Sequence, residues 1–306
     1  MWNLLITGVQ GGDTKSIARA ISLVENEQEG YESFLEQLQQ RAVPVVGITG
    51  PPGAGKSTLT DALVGFAVAE GKRVAVVCVD PSSPFHFGAL LGDRIRLNRW
   101  YLDERVFIRS LASRGAMGGL NPKIIEITDL LKAAPFDLIL VETVGVGQSE
   151  IEIAGLADVT IVVLVPEGGD EVQTMKAGLM EIADIFVVNK SDRPGADLFI
   201  KHLKQMLAPA FSRTTELLPV IPTAAHEMKG IDTLYAQLLQ KIAAVASNER
   251  KGWLLAEKAY QLLQKKRMQG IDKRELKAAI AAETAAGRFN LYRFVRNLEH
   301  HNKPAV

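Results

Sequence analysis

The stretch VPVVGITGPPGAGKSTLT, residues Val43–Thr60, decides the fold. It opens with a β-type apolar run, passes through a glycine-rich turn and ends in Lys56-Ser57-Thr58 at an expected helix start. Glycines in such a turn let successive backbone N–H groups face phosphate oxygens, and the helix N-terminus adds a partial positive charge. The pattern GxxxxGK[ST] between a strand and a helix therefore predicts a nucleotide-binding P-loop.

Each position of this loop has an expected role. Lys56 is expected to reach the β- and γ-phosphates, and the Ser57 hydroxyl is expected to ligate Mg²⁺. The alternative is a coincidental turn rich in glycine and proline, which the strand-turn-helix setting disfavours. The expected nucleotide-binding residues of the loop are Gly50, Pro51, Pro52, Gly53, Ala54, Gly55, Lys56, Ser57 and Thr58.

The composition is that of an ordinary globular chain. It has 306 residues, of which 47% are hydrophobic and 23% charged, enough for one large or two ordinary domains. The formal net charge of zero predicts no general attraction to nucleic acid or to an anionic membrane. Cys78 is the single cysteine, which excludes an internal disulfide, and we expect it to be buried. No apolar stretch approaches the ~18 residues of a membrane span, so we expect a cytoplasmic protein.

Apolar runs alternate with helical patterns from Val43 to about Ala246. This alternation predicts an α/β fold with a mainly parallel P-loop NTPase sheet and helices on both faces. Functional residues are then expected at the carboxyl ends of the strands. The expected strands are Val43–Thr49, Arg73–Val79, Val106–Arg109, Asp137–Val141, Val159–Val165, Ile185–Val188 and Leu218–Ile221.

Helical segments flank this region on both sides. Residues 1–12 are interpreted as a weak lead-in, followed by helices at Thr14–Asn26 and Tyr31–Arg41. The C-terminal helices, Trp253–Gln269 and Asp272–Glu299, carry enough apolar positions to pack on the core or on a second subunit. We expect three parts, which are an N-terminal helical segment at 1–42, a P-loop domain at 43–247 and a helical extension at 248–306.

The sequence NKSD at residues 189–192 directly follows an expected strand. It fits the guanine-reading pattern NKxD of GTPases, in which the aspartate accepts hydrogen bonds from guanine N1–H and the 2-amino group. Adenine presents no matching pair of donors, so the motif selects as well as binds. The expected guanine-site residues are Asn189, Lys190 and Asp192, joined by Thr223, Ala224 and Ala225 after the last strand, where GTPases place a loop behind the base.

Glu142-Thr143-Val144-Gly145 lies at the end of another expected strand. GTPases usually carry Asp-x-x-Gly here, with the carboxylate acting on Mg²⁺ through water and the glycine N–H meeting the γ-phosphate. Glutamate is a departure, but it still supplies a carboxylate with longer reach. Val146 follows Gly145, so the usual water-orienting glutamine is missing at that position and we expect slow intrinsic hydrolysis. Gln148 is a candidate to replace it, and a structural role is the alternative.

Two aspartates complete the set of candidate carboxylates. Asp80 ends an expected strand before Pro81, where it can bind Mg²⁺ through water, orient the attacking water, or only start a turn. Asp93 lies in the stretch that follows, where switch chemistry and a simple salt bridge both account for it. The catalytic candidates are Lys56, Asp80, Asp93 and Glu142, and the candidate Mg²⁺ ligands are Ser57, Asp80 and Glu142.

With these motifs the chain resembles the MeaB/ArgK family, the methylmalonyl-CoA mutase-associated GTPases. The resemblance runs from about Gln10 to about Leu255 and includes GPPGAGKST, VDPSSPF, LGDRIR, ETVGVGQSE and NKSD. It implies a SIMIBI-class GTPase that uses GTP, GDP and Mg²⁺ and works as a homodimer, with 43–247 as GTPase domain and 248–306 as dimerisation extension. The family role it implies is to gate adenosylcobalamin delivery to an acyl-CoA mutase and to protect that mutase. Pro166–Lys176 matches a mobile loop linked to the mutase.

Departures from the family leave alternatives open. Phe85-His86-Phe87-Gly88 stands where a Thr-Gly-Gly-like stretch is common, and Thr223 stands where a Ser-Ala pair is usual. A P-loop ATP-dependent kinase would leave NKSD idle, and a nickel-insertion GTPase would want a His-rich or Cys/His site. A signal-recognition-type GTPase is disfavoured by the neutral charge and only seven methionines. An assembly module without turnover is the last alternative.

Overall fold

A computed structural model describes residues 1–80, 97–113, 120–145, 151–167, 181–207, 218–244, 249–268 and 272–301. The chain forms two compact units, Met1–Leu254 and Leu255–Val306. The N-terminal helices belong to the same unit as the sheet. Residues 247 and 248, between which we expected the helical extension to begin, lie outside the described residues, so the three-part division stays a prediction.

In the described part of the first unit, seven strands form one sheet. Their order is β3-β2-β4-β1-β5-β6-β7, and every neighbouring pair is parallel. All the strands expected from the sequence are present, which confirms the α/β prediction. They are β1 (Val45–Thr49), β2 (Val74–Asp80), β3 (Val106–Ala112), β4 (Leu138–Glu142), β5 (Val159–Leu164), β6 (Ile185–Val188) and β7 (Val220–Pro222).

The described helices before residue 245 belong to the same unit as the sheet, and the C-terminal helices make up most of the second unit. No helix among them is long and apolar enough to cross a membrane. In chain order they are α1 (Trp2–Gln10), α2 (Thr14–Glu25), α3 (Tyr31–Gln37), α4 (Lys56–Ala69), α5 (Ile124–Ala133), α6 (Ile151–Leu156), α7 (Ala196–Leu207), α8 (Ile231–Ala244), α9 (Glu249–Arg267), α10 (Lys273–Ala285) and α11 (Leu291–His301).

Side chains of the central strands alternate between two cores. Val45 and Val141 belong to a core with α1, α2, α3 and α5, whereas Val46 and Leu140 belong to a core with α4 and α8. All residues of β1, β2, β4, β5 and β6 are buried. Strands covered on both faces read as continuous apolar runs, which is why the sequence showed them so clearly. Cys78 is buried as expected.

The weak lead-in expected at residues 1–12 is wrong, because α1 occupies most of it. This helix has no side-chain N-cap hydrogen bond and no acidic residue in its first turn, so the usual start signals are missing. Packing stabilises it instead. Leu5 and Val9 are buried in the core, and the Trp2 ring lies 5.0 Å from the ring of Phe34, centre to centre. Tertiary contacts can hold a short helix that local signals do not predict.

Aspartates close the amino-terminal edge of the sheet. Asp137, Asp158 and Asp184 directly precede β4, β5 and β6. Each backbone N–H donates to a carbonyl at or just before the start of the neighbouring strand, and each carboxylate accepts the N–H of that same neighbouring residue. The accepted N–H groups are those of Arg73 at 2.8 Å, Val45 at 2.8 Å and Thr160 at 2.7 Å. Backbone donors at the start of these strands are thereby satisfied.

We expect Asp158→Ala to lower the free energy of unfolding by about 1–3 kcal/mol, because the Val45 N–H would lose a charged acceptor. GDP affinity should not change, because this edge lies opposite the carboxyl ends of the strands. Urea unfolding and GDP titration measure the two effects. Glu104→Ala, at an exposed carboxylate before β3, is the control and should change stability by less than about 0.5 kcal/mol. A loss of GDP affinity at unchanged stability would contradict the assignment.

Candidate nucleotide-binding site

The P-loop joins β1 to the first residue of α4. Gly50, Gly53 and Gly55 have φ values of +140°, +76° and +88°, which favour glycine. Space matters as well, because a Cβ on Gly50 would lie 2.1 Å from the carbonyl oxygen of Val163. The N–H groups of the first turn of α4 have no carbonyl partner within the helix. Together with the loop they form a place suited to a phosphate anion.

The Lys56 ammonium lies inside this loop, and the residue as a whole is 7% exposed. It donates to the carbonyl oxygens of Gly50 at 2.8 Å and Pro51 at 3.2 Å. Gly145 packs directly against it, since a Cβ on Gly145 would lie 2.2 Å from Lys56 Nζ. The turn after β4 therefore touches the P-loop lysine. Charged phosphate oxygens are stronger acceptors than carbonyls, so a bound phosphate can replace these partners of the ammonium.

The carboxylate of Glu142 accepts hydrogen bonds from two hydroxyls of α4. Ser57 Oγ donates to Oε1 at 2.7 Å, and Thr60 Oγ1 lies 3.0 Å from Oε2. All three side chains are buried. Ser57 and Thr60 are three residues apart and so share one face of the helix. Thr60 was not among the site residues expected from the sequence, because its spacing of three residues from Ser57 indicates a shared helix face but no partner for its hydroxyl.

Asp80 ends β2 at the same edge of the sheet and is buried. Strand β2 pairs with β4 in the register that places Cys78 opposite Glu142. Ser57, Asp80 and Glu142 thus supply one hydroxyl and two carboxylates, which are the hard oxygen donors that Mg²⁺ prefers. This donor chemistry fits the ion. Asp93, Gln148 and residues 168–176 of the expected mutase-linked loop lie outside the described residues.

Asn189 connects three loops through its side-chain amide. Its Nδ2 donates to the carbonyl oxygen of Ala54 in the P-loop at 2.9 Å. Its Oδ1 accepts from the backbone N–H of Ala225 at 3.1 Å and from Thr223 Oγ1 at 3.2 Å. A Cβ on Gly55 would lie 2.3 Å from the same Nδ2, so this link also requires glycine in the P-loop. The amide therefore joins the P-loop to the loop after β7, which are the expected phosphate side and base side of the site.

Asp192 is exposed beside these loops. The preceding Ser191 N–H donates to the carbonyl of Thr223 at 2.9 Å, which fixes the turn. The nearby Lys229 ammonium holds the pKa of Glu227 below its usual range through a hydrogen bond, and the charge of Asp192 opposes that shift. The expected residues Thr223, Ala224 and Ala225 are buried, while Lys190 adopts a φ of +56° in the turn.

A parallel sheet with a P-loop after β1 and an NKxD turn after β6 defines the class of P-loop GTPases. Residues 17–281 match the model of the family described as methylmalonyl Co-A mutase-associated GTPase MeaB. The chain belongs to this family, which confirms the resemblance seen in the sequence. It is therefore a GTPase, which binds GTP and GDP and hydrolyses GTP.

Individual relatives agree with this assignment. The GTPase ArgK of Escherichia coli is 35% identical over 270 residues, which are 85% of this chain and 82% of that protein. The fused isobutyryl-CoA mutase of Geobacillus kaustophilus is 37% identical over 257 residues, which are 78% of this chain and 24% of that protein. The crystal structure of a LAO/AO transport system kinase matches with a TM-score of 0.65 and 26% identity, covering 98% of this chain and 97% of that one.

We expect Gly145→Ala to slow GTP hydrolysis by about tenfold or more, an effect of at least ~1.4 kcal/mol on the barrier. The new Cβ would meet Lys56 Nζ and the Gly50 carbonyl oxygen at a φ of +83°. Single-turnover hydrolysis measures the effect, and thermal unfolding checks the fold. Gly71→Ala is the matched control, because Gly71 has a φ of +78° with no atom within 4 Å of its added Cβ. Equal rates in the two variants would contradict the role of the Gly145 contact.

Proposed function

We propose that the chain is a cytoplasmic, GTP-switched chaperone that gates adenosylcobalamin delivery to a methylmalonyl-CoA mutase-type enzyme and protects that enzyme. The observation that carries this proposal is the fused isobutyryl-CoA mutase, in which a segment 37% identical to this chain is joined to a mutase. Fusion of two activities in one protein supports their physical association when they are separate chains. Adenosylcobalamin then concerns this chain only indirectly, through the client enzyme.

The site geometry supports a switch on the phosphate side. Lys56 can exchange the carbonyls of Gly50 and Pro51 for phosphate oxygens when a nucleotide binds. Because Gly145 packs on Lys56, this exchange also acts on the turn after β4. The affinity for a client can then depend on the nucleotide through the segment that follows that turn.

Hydrolysis uses residues at the same edge of the sheet. Ser57, Asp80 and Glu142 would hold Mg²⁺, which when bound neutralises the charge that develops on the transferring phosphate. Lys56 would stabilise the same charge from within the P-loop. Glu142 is held by the α4 hydroxyls, so its carboxylate does not need to reorganise when the nucleotide arrives.

Asp192 is proposed to read the guanine base. We expect Asp192→Asn to weaken GDP binding by about a hundredfold and to favour xanthosine diphosphate, because xanthine carries a carbonyl where guanine has its 2-amino group. Calorimetric titration with both nucleotides measures the change. Glu227→Gln removes a neighbouring carboxylate and is the control, which should keep the preference for GDP. Unchanged GDP affinity in Asp192→Asn would remove the assignment.

The mutase proposal is tested by titrating a cobalamin-dependent acyl-CoA mutase from the same organism into the protein. We expect a complex whose affinity differs between GDP and a non-hydrolysable GTP analogue, because only the analogue presents a γ-phosphate near Lys56 and Gly145. Guanine-selective binding without a complex in any nucleotide state would contradict the mutase partner, while the assignment as a GTPase would stand. Preference for ATP over GTP would contradict the guanine assignment and favour the kinase alternative.

We also propose that the chain is a homodimer that associates through its C-terminal helices. In the second unit, Tyr260, Leu263 and Tyr292 expose 58%, 56% and 84% of their surfaces. These side chains lie on α9 and α11, and several exposed apolar side chains in one short region of the chain are typical of surfaces that pack against another chain. Light scattering of the full-length protein decides the point, and a monomer at micromolar concentration would contradict it.

A further inference from the structure

We propose that Thr60 is a positioning residue that fixes the Glu142 carboxylate beside Ser57. The inference rests on the Mg²⁺ site proposed above and deepens it. Glu142 is held at both oxygens, by Ser57 at Oε1 and by Thr60 at Oε2. All three side chains are buried, with 3%, 0% and 3% of the surfaces of Ser57, Thr60 and Glu142 exposed.

The length of the glutamate side chain explains why a second hydrogen-bond donor matters. A glutamate has one more rotatable bond than the aspartate usual at this position of GTPases, so ordering its carboxylate costs more conformational entropy. A hydrogen bond to one oxygen leaves the group able to rotate about that contact. A second donor on the other oxygen removes this freedom and fixes the orientation of the carboxylate relative to Ser57.

The hydroxyl of Thr60 has a choice of acceptors. Its Oγ1 lies 2.9 Å from the carbonyl oxygen of Lys56 and 3.0 Å from Glu142 Oε2, and it carries a single proton. An ionised carboxylate is a stronger acceptor than a backbone carbonyl, so the proton points to Glu142. Helical threonines otherwise donate to the carbonyl four residues earlier, as Thr128 does to Ile124 at 2.6 Å.

The consequence concerns metal binding more than nucleotide binding. A serine hydroxyl can donate its proton to a carboxylate and still offer an oxygen lone pair to Mg²⁺. This double use of Ser57 requires Glu142 to stay hydrogen-bonded to the Ser57 hydroxyl while the metal is bound. Thr60 enforces that placement, whereas the P-loop contacts to phosphate do not involve it. Loss of the Thr60 hydroxyl should therefore weaken the Mg²⁺ dependence of GDP binding and spare metal-free binding.

The test compares Thr60→Val, Thr60→Ser and the matched control Thr128→Val, which also removes a fully buried helical hydroxyl. GDP affinity is measured by calorimetry across a series of Mg²⁺ concentrations and in EDTA. In Thr60→Val we expect a rise of about tenfold in the Mg²⁺ concentration that gives half of the maximal change in GDP affinity. This is the size expected for loss of one hydrogen bond to a charged group. Thr60→Ser should restore it, Thr128→Val should not change it, and metal-free affinity should stay constant throughout.

A double-mutant cycle with Glu142→Gln shows whether Thr60 acts through Glu142. In the Glu142→Gln background, Thr60→Val should have no further effect on the Mg²⁺ dependence, and a full additional effect would overturn the proposal. Thermal unfolding checks each variant, and Thr60→Ala replaces Thr60→Val if the valine variant does not fold.

The failure of this proposal differs from the failure of the proposed function. If GDP binding depends on Mg²⁺ in the wild type and depends on it equally in Thr60→Val, only the role of Thr60 is overturned. Wild-type GDP binding without any Mg²⁺ dependence would overturn the metal site and the role of Thr60 with it. A shift in Thr60→Val that Thr60→Ser does not restore would also overturn the role of the hydroxyl.

Discussion

The Glu142 carboxylate is buried at the end of β4, and a buried charge is tolerated only where donors meet it. The donors here are hydroxyls on one face of α4, so satisfying this charge fixes the P-loop helix against β4. The loop that precedes α4 and the turn that follows Glu142 are thereby placed together, and Gly145 comes to lie on Lys56. The phosphate side of the site depends on this one arrangement.

The base side is held by a different kind of contact. Asn189 is neutral, and its amide uses both of its ends to join Ala54 to the loop that contains Thr223 and Ala225. Asp192, three residues later, is exposed and lies at the rim. A change at Asn189 would thus disturb the positions of all three loops, whereas a change at the exposed Asp192 would leave these contacts in place. Residues of one short motif therefore have separable roles.

The sequence predicted the sheet and the motifs well because both have local signatures. Strands buried on two faces are continuous apolar runs, and the P-loop needs glycines at fixed positions. It did not predict α1, whose stability comes from Leu5, Val9 and the contact of Trp2 with Phe34. It also missed Thr60, because the contact with Glu142 spans 82 residues of sequence. Long-range pairings of this kind leave no periodic pattern in the chain.

The two edges of the sheet use carboxylates in chemically different ways. At the amino edge, Asp158 accepts a backbone N–H, a group with a proton to give and no lone pair to offer. At the carboxyl edge, Glu142 accepts from hydroxyls, which give a proton and keep lone pairs on oxygen. The first kind of contact stabilises the strand ends and can do nothing more. The second kind leaves an oxygen that can ligate a metal, so the hydroxyl donors of α4 are what make this buried carboxylate part of a site.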